Sequence, residues 1–559
     1  MFCFQCQETS KNTGCTLKGV CGKSSEVSDL QDLLVYCARG IALWAAKAGE
    51  IGVENPEADL FVAEALFTTI TNVNFDPERI ETMIGKGISL RDSLRSEFEK
   101  AYRSLNGRDY DGEMHDAAVW VPGSERKDLL AKAGEVGVLA CGNEDIRSLR
   151  ELLIYGLKGI AAYTDHAYVL KYENGAILAH IEKALAATTD DSLGAEDLIG
   201  LVLETGKMAV EAMALLDRAN TETYGHPEIT EVFTGTMEGP AILVSGHDLL
   251  DFEEILKQTE NTGVRVYTHG EMLPANAYPA FKRYGHLAGN YGTSWYNQQK
   301  EFEEFNGAII MTTNCLQKPR DSYSDRIFTT GLVAWPGVKH IAGRSGSGPK
   351  DFSRVVARAR ELGGLKAVDG KKILIGFAHQ SALSVADKIV AAVKGGDIRR
   401  FVVMAGCDGR HHEREYFTDV ARSLPKQAVI LTAGCAKYRY NMLDMGTTGG
   451  IPRVIDAGQC NDSYSLVVIA QKLAEVFGVS DINELPISYD IAWYEQKAVC
   501  VLLALLYLGV KGIRLGPTLP AFVSPGVLKV LVDTFQVRPT GGVEEDVKSI
   551  MAGDAVVPV

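Results

Sequence analysis

Four cysteines crowd the start of the chain: Cys3, Cys6, Cys15 and Cys21, spaced C-x2-C-x8-C-x5-C. The segment between them is polar and glycine-containing. It has too little apolar surface to fold alone, so a metal must fix it. Zinc wants two cysteine pairs or a Cys/His set, and the x8 and x5 gaps suit neither common pattern. Four thiolates from one compact loop suit a cubane iron–sulfur cluster.

A second set of metal-ligand residue types recurs at the ends of short apolar, β-branched runs. FVVMAGC ends in Cys407, AVILTAGC in Cys435, AIIMTTNC in Cys315 and RVIDAGQC in Cys460. AILVSGH ends in His247, and VRVYTHGE in His269-Gly270-Glu271. Such runs read as buried parallel strands. A residue just past the carboxyl end of such a strand lies on the rim where open α/β sheets build their sites. Glu495 is the seventh candidate. It opens an apolar helix, and a carboxylate among Trp493, Tyr494 and Val499 needs a partner. Soft sulfur selects iron–sulfur or copper, and carboxylate suits harder, oxo-bridged iron. A cluster bridged by both sulfur and oxygen would use all seven. Singly, each residue has an ordinary explanation: a small buried thiol, a hydrogen-bonded histidine, an acid complementing a helix dipole. Four cysteines at four strand ends do not. Two rivals stay open. His269 competes with Glu271, and His379 ends ILIGFAH in the same way. Both are read as supports that orient ligands or move protons.

The elements that must position these residues follow from the pattern. From about Val27 to Leu216 apolar residues recur at helical steps. LLVY at 33–36 matches LLIY at 152–155, and GIA at 40–42 matches GIA at 159–161, an internal repeat of two similar helical bundles. Ser28-Asp29 and Asn143-Glu144-Asp145 are read as caps. Cys37 reads as a buried thiol, His166 and His180 as packed or capping residues, and His411 and His412 as solvent-facing. After Glu222 strands and helices alternate: AILVSGH, a helix, then VRVYTHGE; later KKILIGFAH, a helix, then RRFVVMAGC as a second β-α-β unit. ISYDIAWYEQKAVCVLLALLYLGV is read as one long closing helix. The glycine-rich turn at Gly343, Gly346 and Gly348 reads as a plain loop. The expected division is 1–222 helical, 223–365 first α/β and 366–559 second α/β.

Composition sets bounds. A chain of 559 residues is too long for one core. Net charge is -15 with no basic stripe, which argues against nucleic acid and an anionic membrane surface. No signal peptide is evident, and the longest apolar run, Ala498 to Val510, is too short to span a bilayer. The 11 cysteines are an odd number, so metal or redox chemistry in a reducing cytoplasm is expected rather than a disulfide framework.

The motifs FCFQCQETSKNTGCTLKGVCGK, VSGHDL, THGEMLPANAYP, TTNCLQKP, MAGCDGRH, LTAGCAKYRYN, DAGQCNDSYS and YDIAWYEQKAV occur in one order over the whole chain. Together they resemble the hybrid-cluster, or prismane, family. The resemblance implies a helical N-terminal domain and two Rossmann-like α/β domains with mainly parallel sheets, akin to carbon monoxide dehydrogenase. It implies a [4Fe–4S] cubane on Cys3, Cys6, Cys15 and Cys21, in the short spacing similar to that of anaerobes. It also implies a hybrid [4Fe-2O-2S] cluster on His247, Glu271, Cys315, Cys407, Cys435, Cys460 and Glu495, with a persulfide at Cys407. The implied reaction is reduction of hydroxylamine to ammonia and water, with nitric oxide a neighbouring substrate. Glu495 would open an iron site and Lys497 help supply protons, although in a regular helix those two do not share a face. No NAD or flavin site is evident, so a separate reductase or ferredoxin is expected to bring electrons. A monomer is expected. The competing reading is an iron–sulfur electron carrier or redox sensor without turnover of its own.

Overall fold

The computed structural model describes residues 1–553 apart from 124 and 347. The helical part is built from two sets of three helices with matching lengths. The first set is α1 Ser25–Glu50, α2 Pro56–Thr68 and α3 Pro77–Asn106; the second is α4 Glu144–Val169, α5 Gly175–Ala187 and α6 Ala195–Tyr224. Each set runs 26, 13 and 30 residues, so the repeat seen in two short motifs extends through three helices. The sets interlock, α1 packing on α5 and α2 on α4, around one shared core. Ser24 caps α1, not Ser28, which is buried inside the helix; Asn143 caps α4 as expected.

Where α2 meets α5, Glu182 is buried close to Asp59, and burial, reinforced by that second carboxylate, pushes its carboxyl up to about 9. The fold then holds a proton that the unfolded chain releases above its ordinary value of 4.5. This contribution is full below about pH 4.5 and is lost as pH rises toward 9. Glu182→Gln keeps the neutral form permanently. It is expected to raise stability at pH 8 by on the order of 1–3 kcal/mol, measured by denaturant unfolding. A variant no more stable than wild type at pH 8 would sink this reading.

Two parallel sheets follow. The first comprises β1 Ala241–Ser245, β2 Arg265–His269, β3 Leu287–Asn290, β4 Ala308–Met311, β5 Ile327–Thr330 and β6 Lys339–Ile341. The second comprises β7 Arg400–Val403, β8 Ala428–Thr432, β9 Val454–Asp456, β10 Ile487–Ala492, β11 Arg514–Gly516 and β12 Arg538–Pro539. Strand order is β3-β2-β1-β4-β5-β6 in the first and β9-β8-β7-β10-β11-β12 in the second, both parallel throughout. Each is the doubly wound order, in which the direction of winding reverses between the first and fourth strands and opens a crevice at their carboxyl ends.

Two expectations are corrected. Lys372–Ile375 is a strand but does not join the second sheet; it pairs antiparallel with Thr230–Phe233. The closing segment is not one helix. Ile487–Ala492 is strand β10, buried at every residue, and helix α7, Gln496–Tyr507, begins only after it. Helix α7 lies against α4 and α6. A Cβ on Gly206 would stand 2.2 Å from the Leu503 carbonyl oxygen, so only glycine lets α6 approach this closely. Among the described residues no helix is long and apolar enough to cross a membrane.

Candidate metal centre

The seven strand-end candidates converge. His247 follows β1 and Cys315 follows β4, flanking the crevice of the first sheet. Cys407 follows β7 and Glu495 follows β10, flanking that of the second. Glu271, Cys435 and Cys460 follow β2, β8 and β9. All seven line one cavity. Gly406 shows how a strand end presents its side chain. Its φ is 108°, and a Cβ there would lie 2.1 Å from the Ala492 carbonyl oxygen. The chain can therefore turn out of β7 hard against β10, where the Cys407 amide donates to that same oxygen at 2.7 Å.

Hydrogen bonds stitch the two sheet edges together. Gln459 donates to the carbonyl oxygens of Glu271 (2.8 Å) and His247 (3.3 Å). The Cys460 amide donates to Glu271 Oε2 at 2.9 Å, and the Tyr438 hydroxyl to the Gly270 carbonyl at 2.8 Å. The other Glu271 oxygen, Oε1, is buried without a hydrogen-bond partner. Ligand atoms of His247, Glu271 and Cys460 lie within 4.8 Å of one another.

The imidazole is prepared to bind a cation. The Thr313 hydroxyl donates to the Asn314 carbonyl at 3.2 Å, so it accepts from His247 Nδ1–H at 2.8 Å and leaves the Nε2 lone pair facing inward. Burial, and then the Lys497 cation, hold the imidazole well below its usual protonation range. Burial also pushes the Cys315, Cys407 and Cys435 thiols up, and that of Cys460 to about 12. Unmetallated, these sulfurs hold their protons; metal binding must displace them.

Glu495 and Lys497 do reach one another. Glu495 is the cap of α7, in extended conformation (φ −133°, ψ −175°), and its Oε2 accepts from the Lys497 amide at 2.8 Å. The turn of the cap brings Lys497 Nζ to 3.8 Å from Glu495 Oε1, 2.9 Å from His247 Nε2 and 2.9 Å from Asn314 Oδ1. This buried ammonium thus stands where a cation is wanted.

The rival histidines lie elsewhere. His269 has both ring nitrogens taken, Nδ1 by Ser245 and Nε2 by Glu301, each at 2.9 Å. His379 lies outside the cavity lining, with Nδ1 3.1 Å from the Ser465 hydroxyl. Trp295, Asn314 and Tyr494 line the cavity and were missed; polar and aromatic residues in loops carry no spacing signal.

The N-terminal cysteines form a separate, compact loop. Cys3 and Cys15 exchange two backbone hydrogen bonds of 3.0 and 2.8 Å. The Ser10 amide points at Cys15 Sγ (3.4 Å) and Lys23 Nζ at Cys3 Sγ (3.5 Å). Burial raises the Cys6 thiol, and Cys21, Cys3, Glu8 and Cys15 raise it further. Trp295 and Tyr494 pack with tilted rings, centroids 4.5 Å apart, in an apolar group that also holds Cys6, Cys315, Cys407 and Cys435, and so bridge the two cysteine sites. Arg414 clasps them. Fully buried, it donates to Gln7 Oε1 (2.9 Å), the Cys407 carbonyl (3.2 Å) and the Trp493 carbonyl (2.6 Å).

A helical layer ahead of two doubly wound sheets, whose facing edges carry thiols, an imidazole and carboxylates, defines a redox metalloprotein. The family model described as Prismane/CO dehydrogenase matches residues 1–548, and the chain belongs to that family. It is 64% identical over 553 residues to a hydroxylamine reductase of Kosmotoga olearia, covering 99% of this chain and 100% of that one. It is 62% identical over 554 residues to a hydroxylamine reductase of Halothermothrix orenii, with coverage of 99% and 100%. Carbon monoxide dehydrogenase IV from Carboxydothermus hydrogenoformans shares the fold, with TM-score 0.56 and 15% identity over 98% of this chain and 92% of that one. The family's iron–sulfur clusters fit the residues present: buried thiols, a lone pair aimed inward and an orphaned carboxylate oxygen are the donors such clusters use.

Proposed function

We propose that this protein reduces hydroxylamine to ammonia and water, taking up two electrons and two protons. The observation that carries the reading is the convergence of seven metal-ligating side chains on a single cavity, with a buried ammonium 2.9 Å from one of them. The names of the full-length relatives support it. In this reading Cys3, Cys6, Cys15 and Cys21 hold a [4Fe–4S] cubane. His247, Glu271, Cys315, Cys407, Cys435, Cys460 and Glu495 hold a hybrid [4Fe-2O-2S] cluster, with Cys407 the position for a persulfide. When bound, the hybrid cluster supplies a Lewis-acidic iron and electrons.

The chain's own residues do the rest. Lys497 holds a proton beside the His247 and Glu495 side chains, both of which line the cavity. Asn314 fixes the ammonium at 2.9 Å. Trp295 and Tyr494 fill the space between the two cysteine sites, keep water from it and give electrons a packed route. Nitric oxide, similarly small, is the second substrate this cavity suits. Electrons come from a separate reductase or ferredoxin.

The test is anaerobic addition of hydroxylamine to the reduced, iron-loaded protein. The expected result is a changed visible and electron paramagnetic resonance spectrum, with one ammonia released for each electron pair. An unchanged spectrum without ammonia would leave only the electron-carrier reading.

A further inference from the structure

We propose that the tip of the N-terminal cysteine loop, residues 16–20, is the docking surface for a small acidic electron-donor protein. This rests on the reading of that loop as an iron–sulfur site. At the tip Leu17 is 87% exposed and Val20 48%, directly between Cys15 and Cys21 in sequence. The tip is held in place. Gly19 donates to the Lys23 carbonyl at 2.8 Å and Gly22 to the Gly19 carbonyl at 2.9 Å, while a Cβ on Gly19 would stand 2.9 Å from Cys21 Sγ. Two apolar side chains are thus displayed on a fixed turn packed against a cysteine sulfur, the arrangement a short-lived electron-transfer contact needs.

Four basic residues stand on or beside the loop. Lys11 and Lys18 are exposed on the loop itself. Arg410 donates to the Val20 carbonyl at 3.4 Å with its side chain 39% exposed, and the exposed Lys318 stands beside Gly22. Glu8 is the one acid in residues 1–25; it is buried and bound by Arg410 Nε at 3.0 Å and Nη2 at 2.8 Å. The chain as a whole carries 72 acidic against 57 basic residues, so this basic rim runs against the average charge. An apolar centre with a positive rim selects a partner with an acidic face, drawn in by long-range attraction that salt screens. An acidic ferredoxin has that chemistry.

The experiment is stopped-flow oxidation of a dithionite-reduced, acidic two-cluster ferredoxin by the full-length, iron-loaded protein with excess hydroxylamine. The wild-type rate constant is expected to fall steeply as salt rises from about 0.02 to about 0.5 M. Lys11→Glu/Lys18→Glu is expected to slow it about 10-fold or more at low salt, and Leu17→Ala to slow it without changing the salt slope. Iron content and turnover with reduced methyl viologen, which needs no docking face, should stay at wild-type values. Where the double variant loses iron, Lys18→Gln, read by its shallower salt slope, decides. A ferredoxin rate unchanged by these variants, indifference to salt, or faster reduction by a basic cytochrome overturns the proposal. Failure of methyl viologen with the wild type, or a loop that binds no iron, overturns the cysteine-loop reading and the docking surface with it.

Discussion

Glu495→Ala is expected to abolish ammonia formation from hydroxylamine while the iron signal of the N-terminal cysteine loop persists. The carboxylate does two jobs, and alanine does neither. It is one of the two carboxylates lining the cavity, and its Oε2 caps α7 by accepting from the Lys497 amide at 2.8 Å. Losing the cap costs only about 1 kcal/mol, and α7 stays pinned against α4 and α6, so the fold survives. Losing the donor and the ion that sets Lys497 is expected to lower turnover by at least about 100-fold. Cys3, Cys6, Cys15 and Cys21 lie on a different element and keep their environment. Glu495→Gln retains the cap and separates the two roles. Undiminished ammonia production by Glu495→Ala, at normal iron content, would remove Glu495 from the site.

Lys497→Met should lower kcat by about 10²- to 10⁴-fold, the usual worth of a placed proton donor. Methionine matches the stem of lysine and removes only the charge and its protons. His247 Nε2 and Asn314 Oδ1, each 2.9 Å from the ammonium, then lose their shared partner without losing their own supports. Iron content and the spectrum of the N-terminal loop should therefore match wild type while single-turnover ammonia release is slow. A wild-type kcat in this variant would assign proton delivery to another group.

Much of the site was legible in the sequence because its chemistry is local. A short apolar run ending in a ligand residue type states both the element and the position of the side chain. This read β1, β2, β4, β7, β8 and β9 correctly. Partner choice is not local. Lys372–Ile375 is rich in β-branched and aliphatic residues like the sheet strands yet pairs antiparallel with Thr230–Phe233. Nothing in so short a strand says which edge it will meet. The segment from Ile487 to Tyr507 failed differently. Six buried residues of β10 run almost directly into an apolar helix, so the period changes within one hydrophobic stretch and Glu495 is the break. That break also removes the difficulty over Glu495 and Lys497, since a cap residue lies outside the helical period. His269 stayed a rival on sequence because strand-end position alone cannot show that both nitrogens of its imidazole are already engaged, and His379 because that position cannot show which cavity a strand end meets.

The identical winding of the two sheets has a consequence for the pedigree of the site. Numbered by strand, the halves correspond: His247 and Cys407 follow the first strand of each, Glu271 and Cys435 the second, Cys315 and Glu495 the fourth. After the third strand Trp295 faces the cavity from one half and Cys460 from the other. At every level one half offers sulfur and the other a nitrogen, an oxygen or a ring. The cavity is thus a pseudosymmetric pair of half-sites whose members differ in hardness, position by position. A cluster held between them would meet a different set of donors from each half, a polarity that follows from the shared strand plan rather than from any single residue.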